Sequence, residues 1–540
     1  MTDTATSATT AAPRAESPWS PFARTAFAVL WTATVISNIG TWMQSAASGW
    51  LMTSLDPDPL MVALVQLATA LPMFLLALPG GAIADIVDRR RLLLRVELAI
   101  TVVIAFFSIF VALDEVSPVF LLFVTACGGA AAALIAPAWQ SIVPLLVGRA
   151  ELPPAVALNS IGINVSRAVG PALAGAVIAW LGIAAPFWLN AVSNLAVIAA
   201  LLWWREPSGS APRLPPERFI GAMVIGLRHA RNNAALRDTL KRAAVFFPLA
   251  SAYWALLPLV AREKIHGGPA TYGLLLGTIG LAAIAGALLL PRLKNRLGAH
   301  RIATCGMLGT ALALALFSVS VRPAVAFAAS AVAGISWIAV MAPLNVSALV
   351  VLPAWVRGRG VAVYATVMFG GLTLGSLIWG QVAASYGIRT ALLDAAVLLA
   401  LAVPLTRRWK LATGTGVDLS PSMQWPAPVI AHDVPSERGP VLVTVDYLIR
   451  PADRVAFLAA MDGLRQQRRR LGAYDWDVFE DTAREGRFLE TFRVDSWLEH
   501  LRQHERVTAE DTIVQAAASR FHSEGTPRVT HLIAARPSDL

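Results

Sequence analysis

Cysteine and charged residues are scarce in this sequence. Its two cysteines, Cys127 and Cys305, both fall inside apolar runs, so we expect neither a disulfide framework nor a cysteine-ligated zinc site. Charged residues make up 14% of the 540 residues and hydrophobic residues 56%, whereas soluble domains average about 25% charged residues. That balance excludes a purely soluble protein.

Two further signals are missing. The sequence contains no glycine-rich Walker loop ending in lysine, which argues against ATP hydrolysis by this chain. Residues 1–23 lack the basic start and short apolar core of a cleaved signal peptide. We expect them to form a disordered cytoplasmic tail.

Long apolar runs occupy the first three quarters of the chain, and each can cross a hydrocarbon layer of about 30 Å as a helix. We therefore predict an all-α polytopic membrane protein followed by a small α+β domain. Breaks at proline, glycine and charged residues divide the runs into twelve transmembrane helices, near 25–53, 60–84, 92–113, 118–146, 155–180, 184–204, 243–261, 269–291, 301–321, 323–350, 360–384 and 389–406.

Lysine and arginine indicate the orientation of these helices, because basic residues stay on the cytoplasmic side in short loops. With the N-terminus inside, 24 of them fall in inner segments and four in outer loops, at Arg262, Lys264, Arg322 and Arg389. We predict that both termini are cytoplasmic. The net charge of +10 is then an orientation signal, and we expect no nucleic-acid partner.

The membrane part is predicted to consist of two copies of one six-helix unit. Gly170 and Gly175 recur as Gly375 and Gly380, each 205 residues later. This layout is typical of parallel-repeat transporters, whose substrate site lies between the halves near the membrane midplane. The predicted segments are a tail at 1–23, an N-terminal half at 24–204, a cytoplasmic linker at 205–242, a C-terminal half at 243–410, a second linker at 411–439 and a cytoplasmic ferredoxin-like domain at 440–540.

A small residue, an acid and a basic cluster follow one another at the end of the second helix, as Gly81, Asp85, Arg89 and Arg90. Gly81 would allow close approach of a neighbouring helix, and Asp85 would pair with cations or with the N-terminal end of a helix. We interpret the set as a conformational latch, although the arginines alone also fit a plain topogenic loop. Leu290 stands at the place of Asp85 in the second half, so the latch is expected to be asymmetric.

This segment resembles the signature loop between the second and third helices of the major facilitator superfamily. A narrower likeness, over residues 22–410, is to the enterobactin-exporter-like branch, the transmembrane secretion effectors. It is carried by Ala136-Pro137-Ala138-Trp139-Gln140, by Ser166-Arg167-Ala168-Val169-Gly170-Pro171, and by the cytoplasmic loop Trp355-Val356-Arg357-Gly358-Arg359-Gly360. The resemblance implies a twelve-helix transporter that works by alternating access.

The fifth helix also resembles the antiporter signature of drug exporters. It keeps Gly170, Pro171 and Gly175, whereas Ser166 and Ala174 stand where that signature usually has glycine. The likeness supports export as the direction of transport.

Arg167 places a charge near the middle of the fifth helix, which costs about 2.5–3.5 kcal/mol on insertion scales. We therefore expect it to face the interior of the bundle or a water-filled path. Asn164 lies one turn earlier, and the pair is predicted to hydrogen-bond or to hold an anionic part of a substrate. The alternative is that Arg167 binds carbonyls at helix ends and holds the two halves together.

Proton coupling usually needs a titratable carboxylate in the membrane, and the predicted helices offer Glu97 and Asp394. Both lie near helix ends, where ordinary interfacial placement is the alternative. Neutral amphipathic side chains supply candidate pocket residues. These are Asn38, Trp42, Gln44, Trp139 and Gln140.

Residues 440–540 predict a strand, a helix, two strands, two helices and a last strand. This order fits a ferredoxin-like fold. It resembles the antibiotic-biosynthesis-monooxygenase-like dimeric α/β barrel, which implies a homodimer through this domain. His500 and His504 have metal-compatible spacing, but with charged neighbours such as Glu499 they are interpreted as a solvated helix face, so no metal site is expected.

These features predict a secondary transporter of the plasma membrane that exports a small organic molecule, such as a siderophore, drug or secondary metabolite. We expect its partners to be the substrate, membrane lipid and coupling protons, and we expect no cofactor. Two alternatives are an importer of the same fold and a membrane-anchored enzyme or sensor whose C-terminal domain carries the activity.

Overall fold

The computed structural model describes residues 17–148, 150–205, 219–353, 355–413, 418–420, 422 and 434–535. In these ranges twelve helices are long and apolar enough to cross a membrane, as predicted. One shorter helix, α7 (Phe219–Asn232), lies between the two halves. The twelve are α1 (Thr25–Leu55), α2 (Pro59–Ile86), α3 (Arg89–Ala112), α4 (Pro118–Leu146), α5 (Leu152–Leu181), α6 (Ala185–Trp203), α8 (Ala234–Leu259, continued by a π-helical turn Val260–Lys264), α9 (Pro269–Leu297), α10 (Ala299–Val319), α11 (Pro323–Val350), α12 (Arg357–Tyr386) and α13 (Ile388–Thr406).

Polar caps and left-handed glycines mark where several of these helices begin and end. The side chains of Asp58, Asp88 and Ser117 each accept a hydrogen bond from a first-turn amide of α2, α3 and α4. Gly182 and Gly387 end α5 and α12 with φ angles of 87° and 86°, a conformation that costs glycine little. These two glycines are 205 residues apart, so the helix ends follow the same repeat as the motifs.

The predicted two-fold repeat is confirmed by how equivalent glycines pack within each half. Gly170 of α5 lies against α1, where an added Cβ would be 2.6 Å from the Cβ of Trp42. Its counterpart Gly375 of α12 lies against Pro248 of α8. Helix α8 is the repeat of α1, so the same contact is made in both halves.

The repeat also governs the contacts between the halves. An added Cβ on Gly175 of α5 would lie 2.8 Å from the carbonyl oxygen of Pro269 in α9. On Gly380 of α12 it would lie 2.6 Å from the Cβ of Ala63 in α2. Helices α9 and α2 are repeats of each other, and the two crossings therefore join the halves in a symmetric way.

Aromatic and polar contacts close the bundle at the end that the charge distribution predicts to be outer. The rings of Trp50 in α1 and Tyr272 in α9 stack with centroids 6.1 Å apart. Arg262 Nη1, at the end of α8, donates to the hydroxyls of Thr53 and Ser54 at 3.0 and 3.1 Å. Because these residues come from both halves, the halves meet at the predicted outer end.

The C-terminal domain is a four-stranded antiparallel sheet of order β2-β3-β1-β4 with helices on one face. Side chains of β1 alternate between buried and half-buried. Val445 and Tyr447 pack on Phe457, Met461 and Leu464 of α14, and Val441 and Val443 pack with Trp497 of α15. The elements are β1 (Val441–Leu448), α14 (Arg454–Arg470), β2 (Tyr474–Glu480), β3 (Arg487–Val494), α15 (Trp497–Arg506), α16 (Ala509–Ser519) and β4 (Arg528–Ile533).

The interpretation of α15 as a solvated helix face is wrong. His500 is 1% exposed and Glu499 is 6% exposed. Glu499 forms a buried ion pair with Arg506, two turns further along the helix. The two charges neutralise each other, which allows both to leave water, and a string of charges in the sequence does not reveal that pairing.

Helix α7 and the loop before α12 hold the C-terminal domain against the membrane helices. Arg228 Nη1 lies 3.0 Å from a carbonyl oxygen just after α14, and His229 Nδ1 lies 3.3 Å from the last carbonyl oxygen of α14. The guanidinium of Arg506 lies over the ring of Trp355, 4.5 Å from its centroid. The domain is thus docked on the linker helix and on one loop of the C-terminal half.

Candidate functional site

A cavity lies between the two halves of the helix bundle. Its empty space, counted together with its opening to solvent, is about 820 Å³. Helices α1, α2 and α5 form one side, and α8, α9 and α11 form the other. Its polar and aromatic lining residues are Trp42, Ser45, Gln66, Thr69, Arg167, Trp254, Tyr272 and Trp337.

Arg167 brings a positive charge to this cavity. Its Cζ lies 5.2 Å from the ring centroid of Trp42, a cation–π contact. Its Nε is buried and has no hydrogen-bond partner among the described residues. A buried guanidinium nitrogen without a hydrogen-bond partner is costly, so the site favours an anionic or hydrogen-bond-accepting ligand.

Aromatic rings form the opposite wall of the cavity. Trp254 of α8 and Trp337 of α11 meet edge to face with ring centroids 5.5 Å apart. The indole Nε1 of Trp254 is buried and also lacks a hydrogen-bond partner within the described chain. Tryptophan offers a large apolar area with one donor. The cavity therefore suits an amphipathic organic molecule with acceptor groups at one side and flat apolar groups at the other.

Two of the five residues predicted on the translocation path, Arg167 and Pro171, line the cavity. Asn164 does not bind Arg167, since its amide nitrogen donates at 2.8 Å to the carbonyl one turn earlier in α5. This back-bonding is a common alternative for a polar side chain in a helix. Gly170 and Gly175 lie at helix crossings, as described above, and provide close packing.

Among the predicted pocket residues, Trp42 lines the cavity. Gln44 is two residues further along α1 and so points to the other side of the helix. There it is buried and accepts a hydrogen bond from Asn190 of α6 at 2.5 Å. Three more predicted residues do not line the cavity, and these are Asn38, Trp139 and Gln140.

The predicted latch residues occupy several different environments. An added Cβ on Gly81 would meet no atom within 4 Å, whereas on the adjacent Gly80 it would lie 2.8 Å from a carbonyl oxygen of α4. Arg90 donates from Nε and Nη2 to two carbonyls at the C-terminal end of α6, at 2.7 and 3.0 Å. Arg89 is the first residue of α3. The side chain of Asp85 lies outside the described residues.

The remaining predicted site residues lie away from the cavity. Glu97 is 7% exposed inside the N-terminal half, and Asp394 is exposed on α13. Arg357 is exposed at the start of α12. Arg359 packs against α7, where an added Cβ on Gly226 would lie 2.9 Å from its Cβ. The two carboxylates therefore do not touch a substrate in the cavity.

Sequence reasoning missed the aromatic wall of the cavity. Trp254 is 205 residues after Gly49, which also lines the cavity. The repeat that was visible in the sequence therefore relates two cavity positions, one in α1 and one in α8. Applied to α1 as a whole, it would have directed attention to the tryptophan in α8.

Residues 16–538 match the family model described as transmembrane secretion effector. The chain is 22% identical over 261 residues to the staphyloferrin A transporter of Staphylococcus aureus, which covers 48% of this chain and 65% of that relative. It is 24% identical over 411 residues to the multidrug efflux pump Tap of Mycobacterium tuberculosis, which covers 73% of this chain and 96% of the pump.

A solved structure shows the same fold. It is a bacterial homolog to the human lysosomal transporter Spinster in an inward-facing and unoccupied conformation, with a TM-score of 0.56 and 14% identity over 72% of this chain and 97% of that one. The family match includes both the membrane helices and the C-terminal domain. This chain therefore belongs to the transmembrane secretion effector family of the major facilitator superfamily, and it is a multi-pass membrane transporter.

Proposed function

We propose that this transporter exports an organic anion with aromatic or flat apolar groups, in the chemical range of siderophores, drugs and secondary metabolites. The observation that carries the proposal is the Arg167 guanidinium, which faces the cavity with a buried Nε that has no partner among the described residues. The similarity to a multidrug efflux pump supports export as the direction.

The cavity walls give a physical basis for alternating access. Arg167 belongs to the N-terminal half, whereas Trp254 and Trp337 belong to the C-terminal half. A substrate that contacts all three bridges the halves, so its binding energy differs between conformations that bring the walls together or apart. Outward opening would separate the stacked rings of Trp50 and Tyr272 at the predicted outer end.

Energy coupling is proposed to use protons, with Glu97 as the titrating group. Glu97 is the one buried carboxylate among the described membrane helices. Buried carboxylates in membrane helices commonly serve proton relays. Because Glu97 is remote from the cavity, its protonation would change the position of α3, and its side chain would not contact the substrate. Glu97→Gln should abolish transport driven by a pH gradient while substrate binding is kept.

A pair of matched dyes tests the proposal. Fluorescein and rhodamine 123 share one flat ring system but carry opposite charges at neutral pH. Inside-out vesicles with an acidic lumen should accumulate fluorescein, quantified after filtration and lysis, and should accumulate much less rhodamine 123. Accumulation only in right-side-out vesicles would show import, and equal transport of both dyes would refute recognition of an anion.

The C-terminal domain is proposed to form a homodimer through the outer face of its sheet. That face carries Leu442, Leu489 and Leu532, and Leu532 is 51% exposed. Light scattering of the full-length protein in detergent should give the mass of a dimer, and Leu532→Glu should give a monomer. A monomeric wild-type protein would exclude this arrangement.

A further inference from the structure

Three histidines of the C-terminal domain converge on one point. His500 and His504 lie on α15, and His531 lies on β4. One ring nitrogen from each residue lies within 4.8 Å of those from the other two. His500 is buried and the other two are half-buried.

The fold explains why residues from distant parts of the sequence meet here. Residues four apart on a helix share one face, which aligns the rings of His500 and His504. His531 pairs directly opposite Val443 of β1, and Val443 is buried on the sheet face that packs against the helices. The His531 ring therefore points toward α15, where its centroid lies 4.6 Å from that of His500.

The spacing of the two helix histidines matches a metal site. Nε2 of His500 lies 3.2 Å from Nε2 of His504. Two imidazole nitrogens that bind one zinc ion tetrahedrally, each at about 2.0–2.1 Å, are about 3.3 Å apart. A proton shared between the rings of His500 and His504 would explain their short distance but would not involve His531. None of the hydrogen bonds of the described chain involves the His531 ring.

The acidic side chain next to His500 is paired elsewhere. Glu499, on the same helix, forms an ion pair with Arg506. The candidate donors are therefore the three imidazole nitrogens.

A supporting group is also present beside the cluster. Nδ1 of His500 and Oε1 of Gln503 are both buried and lack hydrogen-bond partners in the described chain. Metal-bound histidines usually donate their second ring nitrogen to such an acceptor. Gln503 lies one turn beyond His500, which places the acceptor on the same helix face.

We propose that His500, His504 and His531 bind one first-row divalent transition-metal ion, with Zn²⁺ or Fe²⁺ as the chemical class. Imidazole ligands suit these ions, and three protein ligands leave a further coordination position for water or another ligand. The site is distinct from the substrate cavity, and it does not depend on which molecule is transported.

Metal binding is tested on the full-length protein in detergent, without a polyhistidine tag. After removal of metal with a chelator, Co²⁺ is added and its visible absorption is followed, and Zn²⁺ content is measured by mass spectrometry after dialysis. We expect one ion per chain, a d–d spectrum of four- or five-coordinate Co²⁺, and a higher melting temperature of the C-terminal domain with Zn²⁺.

Variants show which residues bind the ion. His531→Gln and His504→Gln should each weaken binding by more than tenfold, whereas His266→Gln, at an exposed loop residue before α9, should not. Folding of each variant is checked by gel filtration, and the half-exposed His504 provides the test if His531→Gln does not fold. A folded wild-type protein that takes up no ion, or His504→Gln with wild-type affinity, would overturn the assignment.

Discussion

Replacing Arg167 with leucine separates a role in substrate binding from a role in holding the helices together, because the two roles predict opposite changes in stability. Leucine is a suitable replacement, since Leu372 occupies the equivalent position 205 residues later and is 6% exposed. If Arg167 binds substrate, the variant should be at least as stable as the wild type and should lose transport. If Arg167 holds the halves together, the variant should be less stable.

The magnitudes follow from the surroundings of Arg167. Arginine at the centre of a membrane helix costs about 2.5–3.5 kcal/mol relative to the aqueous phase, and leucine carries no such cost. The lost cation–π contact with Trp42 offsets about 0.5–2 kcal/mol of that gain. We expect a net stabilisation of about 0.5–3 kcal/mol in the free energy of unfolding. A lost charge-assisted hydrogen bond to an anion costs about 1.5–3 kcal/mol, which is roughly a 10- to 150-fold loss of affinity.

The assay measures thermal unfolding in detergent and fluorescein transport in inside-out vesicles on the same variants. Arg296→Leu is the matched control, because Arg296 is exposed near the end of α9 and should change neither quantity appreciably. Arg167→Lys should retain partial transport, since it keeps the charge but loses the planar fork. A marked drop in the melting temperature of Arg167→Leu, or transport equal to wild type, would refute the binding role.

Three further variants test the packing and the docked domain. Gly175→Leu should force the α5–α9 crossing apart and thereby move α9 away from Trp50 of α1, which stacks on Tyr272 of α9. A cysteine that replaces Trp50 should then react several-fold faster with an impermeant maleimide from the predicted outer side. Gln44→Leu leaves the buried Asn190 amide without its partner and should lower stability by about 1–3 kcal/mol in thermal unfolding. Burial and a nearby guanidinium lower the pKa of His229 from 6.5 to about 4. The unfolded state therefore binds more protons, and docking stability should fall by roughly 3 kcal/mol between pH 6.5 and 4. Hydrogen exchange in α7 should show this loss in the wild type but not in His229→Gln.

The membrane helices were predictable because their signals are local and repeated. Length and hydropathy alone identify each helix, and the 205-residue spacing of Gly170 with Gly375 indicated contacts that the structure contains in both halves. Arg167 was also identifiable, since a charge in an apolar helix is conspicuous. Helix periodicity could have shown in advance that Gln44 faces away from Trp42.

The histidine cluster and the burial of Glu499 were not predictable from local patterns. His531 is 31 residues after His500, and only the sheet register brings its ring to α15. Burial of Glu499 depends on its ion pair with Arg506, which charge patterning alone does not reveal. Such sites depend on tertiary contacts, so they require the folded structure.

The docking of the C-terminal domain on α7 and on the loop before α12 has a mechanical consequence. Both contacts belong to chain segments attached to the C-terminal half, and α7 leads directly into α8. If the halves rotate against each other, the domain turns with the C-terminal half. The part of the domain farthest from the rotation axis then moves the greatest distance. A fluorophore on an exposed residue of this domain would then report the transport cycle in real time while leaving the substrate route unmodified.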